Sequence, residues 1–193
     1  MKLRFGQIEE VLQCVHCIPK GERSQFRAKL RNLFRVGLDL PSGRVGRRAN
    51  YDIADMLKLA FAAEILEIGL PPEKTAVMVE EAWSQISLQL FAIWRGMKDD
   101  RWERRFLVAW PAALTEPHHR FQVLSLEELQ SRLASVVPAR CARLLVIDPA
   151  AILSNILLAI STLEFDLAGF EAELDSVSAV ILKYVDPKTG HMR

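Results

Sequence analysis

The stretch SGRVGRRANYDIADMLKLAFAAEILEIGLPPE, residues 42–73, decides how the rest of the chain is divided. It opens on a short glycine-punctuated basic segment, Ser42-Gly43-Arg44-Val45-Gly46-Arg47-Arg48, which reads as a hairpin. Asp52 then stands where a helix N-cap belongs, with Asp55 three residues on as the acid of a capping box. Gly69 supplies the left-handed residue that ends this helix, and Pro72 suits the first turn of the next. The stretch thus separates a head, which precedes it, from a body, which follows.

Charge divides the chain in the same place. The net charge is +1 over 193 residues, yet residues 1–50 hold eleven Lys and Arg against four acids, or +7, leaving −6 for the remainder. A basic head on an acidic body points to a polyanion partner for the head, and nucleic acid fits better than a merely solvated face. At this length the chain buries a real core as one large or two small domains, and 50% hydrophobic with 25% charged residues is ordinary for a soluble protein. Met1-Lys2-Leu3-Arg4 does not lead into an apolar run, so no secretory leader is read. No stretch reaches the roughly eighteen apolar residues of a membrane span. Three cysteines, an odd number, argue against a disulfide framework and for a reducing cytoplasm.

Within the head, Ile8, Val11, Leu12 and Val15 recur at helical spacing and predict a helix over 7–16. Ile18-Pro19-Lys20-Gly21 breaks it. A second helix is predicted over 22–36, with Phe26, Leu30, Leu33 and Phe34 on its buried stripe. Its other faces display Arg23, Ser24, Gln25, Arg27, Lys29 and Arg31. Two short helices joined by a turn, the second basic near its start, meet the needs of a helix-turn-helix, whose second helix offers its N-terminal residues to the major groove.

The runs Phe34-Arg35-Val36-Gly37-Leu38, Leu40-Pro41, Arg47-Arg48-Ala49-Asn50-Tyr51-Asp52-Ile53-Ala54-Asp55-Met56-Leu57 and Leu66-Glu67-Ile68-Gly69-Leu70-Pro71-Pro72-Glu73 resemble MerR-type winged helix-turn-helix regulators. The likeness covers residues 5–80. It implies base or phosphate contacts from Arg23, Gln25 and Arg27 on a recognition helix that also carries Ser24 and Arg31. It also implies backbone contacts from Arg44, Arg47, Arg48 and Tyr51 in a wing. The spacing from the first helix to Gly37 is several residues longer than the family usually shows.

From Ala76 to Met97 the apolar residues Val79, Trp83, Ile86, Leu90, Ile93 and Met97 alternate spacings of three and four, a heptad seam. Val77, Leu88, Phe91 and Trp94 make a second apolar face, so the helix must be covered twice. In the resembled family a helix here pairs antiparallel with its mate, which implies a homodimer; a central core helix in a monomer is the other reading.

Beyond the charged connector 96–105, Phe106–Trp110, Phe121–Leu124 and Ala142–Ile147 read as strands. Helices are predicted from Ser125, whose capping box is closed by Glu128, to about 136, from Asp148-Pro149 to about 161, and over 167–184. The fold class expected is mostly α with a small α/β part. A winged helix-turn-helix over 1–75 leads to a dimerisation helix over 76–98, then to a small α/β domain over 99–193 for an effector or protein partner.

Other chemistry is thinly supported. Cys14-Val15-His16-Cys17 has two thiols at metal-binding spacing, but only Cys141, His118 and His119 remain as further donors, and a cysteine pair on an amphipathic helix is more often filler. Metal-sensing members of the resembled family carry cysteines after the dimer helix, and this chain has none in that connector. His118-His119 reads as a solvated loop pair, and Asp148 at a strand end is explained by its capping role. Nucleotide-binding, zinc-protease and nucleophile-elbow motifs are absent. The sequence therefore leads to a cytoplasmic, bacterial, homodimeric transcriptional regulator that binds duplex DNA, with no enzymatic activity, cofactor or metal. The alternative is a phage- or plasmid-type adaptor whose winged domain binds protein, and an enzyme with its site near Asp148 stands last.

Overall fold

Local chemistry sets most of the helix ends in the structure, a computed structural model that describes residues 2–40, 50–99, 103–109, 121–135, 144–181 and 183. A two-residue strand β1 (Leu3–Arg4) runs into helix α1 (Phe5–Val15), where Gln7 Oε1 accepts the Arg4 N–H at 2.9 Å. A short 3-10 turn at Lys20–Glu22 leads to α2 (Arg23–Arg35). Strand β2 (Asn50–Tyr51) then precedes α3 (Ile53–Glu67). The expected capping box is formed: Asp52 Oδ1 accepts the Asp55 N–H and Asp55 Oδ2 accepts the Asp52 N–H, both at 3.0 Å. Gly69 takes φ of +92°, a left-handed value that costs other residues more, and its N–H donates to the Leu66 carbonyl.

Helix α4 (Pro72–Asp99) opens on Pro72 and continues without a break through Gly96, so the first part of the expected connector is helical. Its 28 residues make a rod about 42 Å long. Strand β3 (Arg105–Ala109) lies between β4 (Gln122–Ser125) and β5 (Leu145–Ile147), antiparallel to both. Helix α5 (Leu126–Ser135) starts from the Ser125–Glu128 capping box, α6 (Pro149–Thr162) from Asp148, and α7 (Leu167–Ile181) is the last α-helix described. The described residues are mostly helical, with two small sheets among them. Among the described residues no helix is long and apolar enough to cross a membrane.

Helix α3 sits at the centre because its sequence is apolar on every side; Met56, Leu57, Leu59, Phe61 and Ile65 have no exposed surface. Helix α4 packs against α3, α2, α6 and α7, and α1 packs against α6. One apolar cluster therefore joins Leu3 to Leu174, crossing positions 75 and 98 without interruption. The three-stranded sheet shows the two-residue alternation of a strand with two covered faces. Leu107 and Ala109 enter the main core, while Phe106 and Val108 form a second cluster with Leu124 and with Leu129 of α5.

A short ladder ties the two ends of the head together. Strand β1 pairs antiparallel with β2, Leu3 opposite Tyr51 and Arg4 opposite Asn50. The Phe5 ring lies 5.8 Å from Phe34 of α2 and 6.0 Å from Tyr51, so one aromatic side chain connects α1, α2 and the residue before the α3 cap. Residues 41–49, including the expected hairpin with Arg44, Arg47 and Arg48, lie outside the described residues.

Candidate nucleic-acid interface

Helix α2 buries Phe26, Leu30 and Leu33, at spacings of four and three, and this fixes which side faces outward. Arg23, Ser24, Gln25, Arg27, Ala28, Lys29, Arg31 and Arg35 are exposed. No acidic residue occurs between Arg23 and Arg35. An open groove of about 660 Å³ runs along this surface, lined by Ser24, Gln25, Arg27, Arg31, Arg35 and others of α2, and by Pro72 where α4 begins. The structure thus brings together five of the nine residues read from the sequence as DNA-contacting: Arg23, Ser24, Gln25, Arg27 and Arg31.

The cations on this face differ in their partners. Arg27 Nε donates to both carboxylate oxygens of Glu9, at 2.6 and 2.7 Å, and Gln13 Nε2 donates to Glu9 Oε1 at 2.8 Å. Glu9 is 3% exposed, so a buried carboxylate of α1 holds an exposed arginine of α2. Lys29 donates to Glu67 of α3 at 2.9 Å. Arg31 lies over the Phe5 ring, 5.9 Å from its centre. Arg23, Arg31 and Arg35 form no ion pair with another described residue, and their charge faces solvent. Glu9 and Gln13 escaped the sequence reading, although they stand four apart beside the apolar stripe of α1.

Tyr51 corrects the reading that the resemblance implied for it. The side chain is 1% exposed and belongs to the core beside Phe5, so no surface is left for a DNA backbone. The heptad seam also lies inside the chain. Val79 and Ile86 have no exposed surface, Leu90 1% and Ile93 4%, while Trp83 and Met97 are partly buried against the same core. The neighbouring helices α3, α6 and α7 occupy the surface that a mate's helix was expected to cover.

A polar cluster fastens α4 to the head. Lys58, 3% exposed in the middle of α3, donates to Glu80 Oε1 and Oε2, both at 2.7 Å, and to the Asp39 carbonyl at 2.6 Å. The Asp39 N–H donates in turn to Glu80 Oε1 at 2.6 Å. The Trp83 ring lies 5.6 Å from the Lys58 ammonium. At the other end of α4, Asp175 of α7 accepts from Lys98 and from Trp94 Nε1, and the Lys98 bond first, with Trp94 adding to it, holds its carboxyl below the usual range.

Elsewhere the structure gives each remaining candidate a place. His16 is largely buried, with Nδ1 3.9 Å from Glu64 Oε1, and burial pushes its pKa below the ordinary value despite the opposing charge of Glu67. Burial raises the Glu64 carboxyl, and the neighbouring Glu67 adds to the shift. Cys14 is partly buried and Cys17 exposed, both as free thiols. No three potential metal ligands converge among the described residues, and His118, His119 and Cys141 lie outside them. Asp148 accepts the Ala150 and Ala151 N–H groups and pairs with Arg104, a capping role. No family model, no curated protein and no solved structure matches this chain.

Proposed function

We propose that this chain is a sequence-specific DNA-binding transcriptional regulator whose reading element is α2. The observation that carries the proposal is the outward face of α2, which has no acid of its own and five exposed cations, of which Arg23, Arg31 and Arg35 form no ion pair with a described residue, on a helix whose other side is locked into the core. Such a face is stabilised by a polyanion, and the release of counterions from the DNA supplies the affinity. Serine and glutamine beside arginine near the N-terminus of the helix suit base edges in a major groove.

In this proposal α1 and α2 are the helix pair of a MerR-like winged helix-turn-helix within residues 1–75. Arg44, Arg47 and Arg48, which precede β2 in the chain, act as its phosphate-contacting wing. The division of roles is functional, since the core is continuous. Residues 99–193 serve a protein or small-molecule effector. The regulator works as a homodimer in the cytoplasm, and its two-fold contact uses a surface other than the covered seam of α4.

The test is fluorescence anisotropy of the full chain against randomised duplex DNA at low and physiological salt, with sequencing of what stays bound. An enriched, (pseudo)palindromic site that survives physiological salt supports a dimeric regulator, and an enriched site without symmetry supports a monomeric reader. Weak binding that vanishes with salt and enriches nothing ends the proposal and favours the protein-adaptor reading. Arg47→Ala with Arg48→Ala weakens binding to all sequences and lowers its salt dependence; unchanged affinity in the folded double variant removes the wing from the proposal.

A further inference from the structure

Arg27 is held differently from every other cation on α2. Its guanidinium carries five N–H donors in one plane. The Nε donor is committed to Glu9, at 2.6 and 2.7 Å from the two carboxylate oxygens. The terminal Nη nitrogens form no hydrogen bond to another described residue, and the side chain is 52% exposed along the open groove. Glu9 itself is 4% exposed at its side chain and receives Gln13 Nε2 from the next turn of α1. A buried, twice-bonded carboxylate therefore fixes one edge of an arginine whose opposite edge faces solvent.

We infer that Glu9 is a positioning residue that presents the Nη edge of Arg27 to a planar pair of acceptors on the DNA, the O6 and N7 atoms of a guanine. This rests on the proposed role of α2. Arg27 stands in the second turn of the helix, past Ser24 and Gln25, in the N-terminal half that a reading helix directs at base edges. An arginine used only as a point charge gains from remaining mobile, because phosphates are spread along the backbone. One used as a fork gains from having its plane set before binding, because two parallel hydrogen bonds need both direction and distance. The carboxylate lowers the net charge of the arginine's surroundings, which is unfavourable for phosphate attraction alone. Its buried position supplies orientation instead. A phosphate also offers two oxygens, so the experiment must separate the two acceptors.

The full-length chain is used to select a duplex from a randomised pool, and each variant is then measured on that duplex and on an unrelated one of equal length. Arg27→Lys keeps the charge on an exposed position and removes the fork. We expect it to lose about tenfold to a hundredfold on the selected duplex, as befits one bidentate pair, and to keep its binding to the unrelated one. Glu9→Gln keeps one acceptor and is expected to lose several-fold on the selected duplex only, with the same salt dependence. Replacing each selected guanine singly by 7-deazaguanine, which removes N7, is expected to weaken the wild type at one position and to leave Arg27→Lys unaffected there.

Equal binding of wild type and Arg27→Lys on both duplexes overturns the inference. So does a loss of the same size on both duplexes, which makes the acceptor a phosphate, or a lack of sensitivity to every 7-deazaguanine, which removes guanine N7 as the acceptor. If Glu9→Gln changes only the unfolding midpoint, Glu9 is structural and its positioning role falls. If the wild-type chain selects no duplex at all, the proposed role of α2 fails with it, an outcome distinct from the others.

Discussion

Helices α2 and α4 are both amphipathic in sequence and both were read as surfaces for another molecule, yet the fold treats them oppositely. The apolar positions of α4, Val79, Ile86, Leu90 and Ile93, are closed within the chain by α3, α6 and α7. The basic positions of α2, Arg23, Arg31 and Arg35, stay in solvent without an ion pair to a described residue. The difference lies in what each kind of surface needs. Apolar area is satisfied by any apolar area, and a chain with enough helices supplies its own. A face of cations needs anions, and α2 offers none of its own. A greasy seam thus says that something covers it, while an uncompensated charged face says more about what lies outside.

The sharpest way to break this contrast is to truncate the seam. Leu90→Ala removes a fully enclosed side chain and is expected to cost about 2–5 kcal/mol of stability. Because the contact is internal, the loss should be the same at low and high protein concentration in chemical denaturation. A destabilisation that shrinks as concentration rises would instead put a second chain on α4. The same variant, where it stays folded, should bind DNA as the wild type does.

The polar cluster between α3 and α4 gives the next effect. Glu80→Ala leaves Lys58 buried beside a lone backbone carbonyl, and breaking a buried pair of this kind costs about 3 kcal/mol. Glu80 is one-third exposed, so water relieves part of that penalty and the expected loss is about 2 kcal/mol. Lys58→Met combined with Glu80→Leu should recover most of it, since apolar replacements remove both the charge and its need. If the double variant is no better than Glu80→Ala, the cluster is held by shape rather than by charge.

On α2 the same exercise should leave stability alone. Arg23→Ala, Arg31→Ala and Arg35→Ala together remove exposed charge and are expected to change unfolding free energy by no more than about 0.5 kcal/mol per site. Binding to duplex DNA should fall, with the slope of log affinity against log salt reduced by about 3. A folded triple variant with an unchanged slope would show that these arginines do not face the phosphates.

What could be read from the sequence follows the range of the interactions. Capping at Asp52 and Asp55, at Ser125 and Glu128, at Gly69 and at Asp148 was legible because each is settled within three or four residues. The exposed face of α2 was legible because the spacing of Phe26, Leu30 and Leu33 fixes the opposite side. Long-range pairings were not. Lys58 stands inside an apolar run with no local sign of a partner, and Glu80 is 22 positions away. Glu9 and Arg27, 18 apart, carry no local mark of being paired. Tyr51 was misplaced because the resemblance assigned it to the wing, while its partners, Leu3 and Phe5, come from the start of the chain.

The smallest effect expected concerns the buried group where α1 ends beside α3. His16 titrates below its ordinary 6.5 in the folded chain, because burial disfavours the cation more than Glu67 favours it. Between that lowered value and 6.5 the unfolded chain holds more protons, so stability rises with pH across the window and is lost on acidification through it. Glu64 acts with the opposite sign. Its pKa is raised above 4.5, so the folded chain holds the extra proton between 4.5 and the raised value, and acidification through that window adds stability. Urea unfolding from pH 7.5 to pH 5 separates the two. His16→Gln should flatten the loss of stability on the acid side, and Glu64→Gln should steepen it. If the wild type and both variants share one slope, neither group differs between folded and unfolded chain, and the end of α1 is as open to water as the outward face of α2.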